Sequence, residues 1–88
     1  MSHANDPKLL NRLKRAYGHL GKIIAMVEEG REGLDIAQQM QAVVSAVEAA
    51  KTFLVMDHIE HHLEEAVGPM LPSAREELER LIQLAKFL

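Results

Sequence analysis

Cysteine is missing from this sequence altogether. That absence removes disulfides, thiolate metal ligands, thiol nucleophiles and persulfide chemistry in one step. Tryptophan is missing too, and aromatics make up only 3% of the 88 residues, while hydrophobic residues reach 48%. Any core is therefore aliphatic and rich in alanine, which favours helices packed on helices over a sheet. No run of about 18 apolar residues and no secretory or transit leader is present, so the expectation is a cytoplasmic protein with no membrane partner. Nothing reads as a strand, a repeat or a low-complexity linker. No nucleophile with an oxyanion-stabilising loop accompanies the polar residues, so an enzyme is not expected.

What remains is enough for one small domain, residues 1–88. A domain of this size without disulfides gains missing burial by oligomerising. The net charge of −3 hides an asymmetry: residues 1–24 carry Lys8, Arg12, Lys14, Arg15 and Lys22 against Asp6 alone, and the acids crowd into the rest. A segregated basic segment is a candidate polyanion surface, whereas the acidic total opposes strong non-specific binding to nucleic acid.

The three prolines punctuate three helices, expected at about 6–29, 34–67 and 73–87. Residues 1–5 read as a polar tail carrying His3. Asp6-Pro7 is a helix start, with an acid at the N-cap and proline at the first position. Leu9, Leu13, Ala16, Leu20, Ile23 and Val27 then repeat at spacings of four and three, an amphipathic face. Lys8, Arg12, Arg15, His19 and Lys22 follow the same rhythm on another face, nearly free of acids; such a stripe is either a solvated surface or a phosphate-binding one. Glu28 to Gly33 turns the chain. The second helix bears Ile36, Met40, Val43, Val47, Ala50 and Leu54, a stripe too long to be covered by one shorter helix, so a copy of the chain is expected against it. Lys51 within the stripe and Glu48 at its edge suggest a polar layer. Gly68-Pro69 stops this helix, and Ser73-Ala74-Arg75-Glu76 reads as a capping box opening the third.

Three of the five histidines fall within five residues, His58, His61 and His62. At about 100° per residue, His62 lies roughly 40° from His58, and both continue the apolar arc. His58-x-x-x-His62 puts two imidazoles on adjacent turns, where they can converge on one ion. A polar helix end, where histidines suit the negative end of the dipole, accounts for the same residues equally well.

Taken in order, Lys8-Leu9-Leu10-Asn11-Arg12-Leu13-Lys14-Arg15, Gly18-His19-Leu20, Glu28-Glu29-Gly30, Leu34 through Val43 and His58-x-x-x-His62 resemble the CsoR/RcnR family of small all-helical bacterial repressors. The likeness runs over nearly the whole chain. It implies an all-α three-helix protomer, pairing into an antiparallel four-helix-bundle dimer that assembles into a tetramer. It also implies operator DNA as partner, and release by an inducer at the subunit interface.

The departures redirect the inducer. The family's cysteine, just before Leu34-Asp35-Ile36, is Gly33 here, which disables formaldehyde and persulfide sensing and makes Cu(I), a thiolate-seeking ion, a poor candidate. The nickel/cobalt branch resembles this chain better, because His3, His58 and His62 match its histidine positions. A divalent ion, Ni(II), Co(II) or Zn(II), is the implied ligand, with a fourth donor from the terminus, water, or Glu60, Glu64 or Glu65. Where many members carry an arginine that helps grip DNA, this chain has Val44, leaving Lys8, Arg12, Lys14, Arg15 and Lys22 to carry the phosphate contacts. The expectation is thus a DNA-binding repressor whose operator affinity is modulated by a divalent metal at an inter-subunit histidine site. The alternative is a divergent, non-sensing helical scaffold, or a partner in mixed oligomers, that binds no DNA itself.

Overall fold

In the computed structural model, which describes residues 6–88, the chain forms α1 (Pro7–Glu28), α2 (Gly33–Val67) and α3 (Pro72–Ala85), with no strand among the described residues. The all-helical class matches the sequence reading. By its packing the chain divides into two compact units, one ending at Lys51 and the other Thr52–Leu88, and α2 runs through both. His3 falls outside the described residues. No helix among the described residues is long and apolar enough to cross a membrane.

The first unit begins at the expected cap. Asp6 is extended, its Oδ1 accepts the Lys8 backbone N–H at 2.7 Å, and Pro7 follows at the first helical position. Such a cap stabilises a helix by about 1 kcal/mol over alanine. The far end of α1 closes on glycine. Gly30, at φ 72, donates its N–H to the Val27 carbonyl, and Arg31 reaches back to Met26. This paired closure satisfies carbonyls that the last turn leaves open and needs a left-handed residue at Gly30. A four-residue turn then delivers α2 antiparallel to α1.

The core of this unit is Leu9, Ala16 and Ile23 of α1 with Ala50 of α2; Ile23 is 4% and Ala50 2% exposed. Burying a side chain the size of Ile23 contributes about 1.5–3 kcal/mol. The apolar stripe expected on α1 is thus covered at every seventh residue only. Leu13, Leu20 and Val27, equally part of it, stay exposed. The same split runs along the start of α2, where Ile36 and Val43 are half-buried but Met40 and Val47 are exposed. A helix facing one neighbour buries a single line of side chains; the flanking lines need a second neighbour. Lys51 and Glu48 pair with each other at 3.6 Å on the surface, so in the protomer they form no buried polar layer.

In the second unit, the end of α2 meets α3. Leu78 and Ile82 of α3 are half-buried, as are Phe53, Leu54, Met56 and Ile59 of α2. Glu60 of α2, 14% exposed, forms an ion pair with Arg75 in the first turn of α3. Gly68, at φ 95, ends α2 with its N–H on the Glu64 carbonyl. The capping box at Ser73 is not used. The cap falls two residues earlier, with Pro72 at the first position and Leu71 as a cap that makes no side-chain bond. Proline has its φ already set and no N–H to satisfy, so it takes the first position, and Ser73 falls inside the helix.

Candidate metal pair and basic cleft

Two groups of side chains stand out, one in each unit. In the second, α2 places His58 and His62 one turn apart, with Nε2 atoms 3.1 Å from each other and ring centroids at 4.4 Å. As it stands this is a hydrogen bond, one ring N–H donating to the other ring's lone pair. The same separation fits a shared ion. Two nitrogens each about 2.0–2.1 Å from one metal lie roughly 2.9–3.4 Å apart, between the octahedral and tetrahedral arrangements. The donor set is nitrogen only, which suits borderline divalent ions.

The surroundings differ from the sequence reading. His58 and His62 are exposed and do not continue a buried line. His61 is the more covered ring, at 32% side-chain exposure, with its Nε2 2.7 Å from Glu65 Oε1. Its ring centroid stands 6.3 Å from that of His62. Of the carboxylates considered as a further ligand, Glu60 is engaged by Arg75 and Glu65 by His61. Among the described residues no cluster of three or more histidine or acidic side chains gathers into a metal cage. His58 and His62 are thus a two-donor platform, and His3, the expected third ligand, lies outside the described residues.

The first unit carries the cations. Lys8, Arg12, Lys14, Arg15 and Lys22 are all exposed on α1. Helical geometry keeps Lys8, Arg12, Arg15 and Lys22 within one arc and turns Lys14 roughly 120° from Lys8. Arg12 and Arg15 line a shallow cleft with Ala16 and His19 of α1, and Ala46 and Ala49 of α2 form its other wall. The small alanine side chains let α2 approach α1 closely along this wall. His19 crosses the hairpin and bonds Gln39 Oε1 through Nε2 at 2.7 Å. Sequence reasoning placed His19 in the stripe but missed Gln39, Ala46 and Ala49. The available signal was distance from the turn: His19 precedes it by ten residues and Gln39 follows it by seven, within one helical turn of being opposite in an antiparallel hairpin.

Comparison with known proteins agrees on one family. A family model described as a metal-sensitive transcriptional repressor matches residues 5–86. The copper-sensing transcriptional repressor CsoR of Mycobacterium ulcerans is 40% identical over 70 residues, 76% of this chain and 60% of that protein. CsoR of Mycobacterium tuberculosis (strain H37Rv) is 35% identical over 78 residues, 89% of this chain and 64% of the relative. CsoR of Bacillus subtilis is 37% identical over 66 residues, 75% and 65%. This chain therefore spans 60–65% of the length of these relatives. No solved structure matches it.

Proposed function

The chain belongs to the CsoR/RcnR family of metal-sensitive transcriptional repressors, which are not enzymes, and we infer from that premise that it is a repressor whose grip on operator DNA is set by a divalent metal held at His58 and His62. The observation that carries this reading is the convergence of the two Nε2 atoms to 3.1 Å on an exposed helix surface. Ni(II), Co(II) and Zn(II) are the ions this pair suits. The relatives named above sense copper, but with no cysteine in this chain and Gly33 at the family's cysteine position, imidazole nitrogen has to supply what thiolate would.

Lys8, Arg12, Arg15 and Lys22 dock on phosphates from α1, with Lys14 contributing from the adjoining face. A second copy of the chain paired along α2 covers the exposed Met40 and Val47. Such pairing brings the histidine platform to the subunit interface, where His3 or a partner's side chain completes the ligand set. A metal that favours one packing of the subunits by about 3–5 kcal/mol is enough to move the protein from mostly bound to mostly free. Gel-shift titration of the protein on the DNA upstream of its own gene, with and without each metal, tests this. Binding that one of the three ions releases is the expected result. Val44 and Gly33 favour a second reading, a helical scaffold that binds no DNA. Failure of the metal-free protein to shift that DNA would select it.

A further inference from the structure

The basic stripe of α1 contains one member whose charge is conditional. His19 sits between Arg15 and Lys22 in the same arc and lines the cleft with Arg12 and Arg15. Its ring is fixed from the other helix, because Gln39 Oε1 can only accept, so Nε2 carries the hydrogen of the 2.7 Å bond. In the neutral ring Nδ1 is then a bare lone pair, which repels a phosphate oxygen. Taking a proton from solvent, Nδ1 becomes a donor on a cation.

The groups facing His19 are known from both helices of the unit. On α1, Arg12 and Arg15 line the cleft with it, Lys22 follows three residues on, and no acid lies between Asp6 and Glu28. On α2 the ring meets the Gln39 amide; no titratable side chain lies between Asp35, one turn before Gln39, and Glu48, which is already paired with Lys51.

We propose that His19 is a proton-gated phosphate contact, silent when neutral and joining Arg12 and Arg15 on the DNA backbone when protonated. The proposal rests on the DNA-binding reading above. Histidine is the side chain that can change charge between about pH 5 and 8. By linkage, each proton taken up on binding strengthens affinity by up to about tenfold per pH unit of acidification above that transition.

The test is the affinity of the full chain for a duplex of its upstream DNA at fixed salt, with chelator present, at about pH 6, 7 and 8. The wild type should bind progressively tighter as pH falls. H19Q, which keeps a polar side chain of similar reach, should still bind but lose up to about tenfold of this gain per pH unit for each engaged ring. H19R should bind tightly throughout, with the pH dependence flattened as in H19Q. Because the wild type and H19Q share every other histidine, the difference between their pH profiles belongs to His19. Parallel profiles in the two proteins would overturn the proposal while leaving DNA binding intact. Absence of wild-type binding at every pH would overturn both.

Discussion

Replacing His58 by alanine tests the proposed metal site, and replacing His61 provides its contrast. The helix already holds the His58 and His62 nitrogens at 3.1 Å, so an ion binding there recruits the second donor with little ordering cost. Loss of a group that merely supports a metal ligand weakens binding about 10–100-fold. Loss of one of two donors is expected to weaken it by at least about 100-fold, roughly 2.8 kcal/mol. His61 is turned to Glu65, so H61A should change affinity by less than about threefold, below roughly 0.7 kcal/mol. Competition of the metal-free proteins against a chromophoric chelator for Ni(II), Co(II) and Zn(II) reads both values. Each imidazole must shed its proton to bind, so metal affinity should fall on acidification. Equal losses in H58A and H61A, or no binding by the wild type, would refute the assignment and leave the histidines as a polar helix end.

Three further outcomes follow from the geometry. Arg12→Ala and Arg15→Ala should each weaken binding to all DNA sequences alike and reduce the salt slope by about 0.9 per phosphate lost, measured by titration at several salt concentrations. Val47→Asp places a charge on the exposed apolar flank; if a second copy covers it, assembly should weaken by about 3–5 kcal/mol, visible as a monomer in sedimentation. Ile23→Ala removes the most buried large side chain of the first unit and should lower unfolding stability by about 2–5 kcal/mol in urea denaturation, whereas Tyr17→Ala, at an 81% exposed position, should fall well short of that in the protomer.

The helices were legible from caps and breakers, because Asp6-Pro7, Gly30 and Gly68-Pro69 act through local backbone geometry that the sequence spells out. The cap of α3 lies two residues before Ser73, since Ser73 and Pro72 both offer a valid opening and only the backbone decides between them. Periodicity found the apolar stripes but could not say which line each helix turns inward. Leu9, Ala16 and Ile23 differ from Leu13 and Leu20 by which neighbour covers them, not by chemistry. His58 and His62 continue the apolar arc by spacing, while within this unit of the protomer they are exposed and Glu60 and His61 are more covered. Pairing of the two imidazoles was readable, being a consequence of helical spacing alone. The bonds from His19 to Gln39 and from Glu60 to Arg75 were not, because they join residues far apart in sequence.

The turn at Gly30 has a bearing on how this chain can vary over generations. Its four residues set the phase between α1 and α2, and with it the face that Ala46 and Ala49 present to Arg12 and Arg15. Side chains along the cleft can be exchanged one at a time without disturbing that phase. A single residue inserted or deleted at the start of α2 cannot be so contained: it would rotate the rest of α2 by about 100° relative to the turn, separate Gln39 from His19, and put a different wall on the cleft. Drift in this hairpin is therefore expected to proceed by substitution, with the length of the turn held as the fixed quantity.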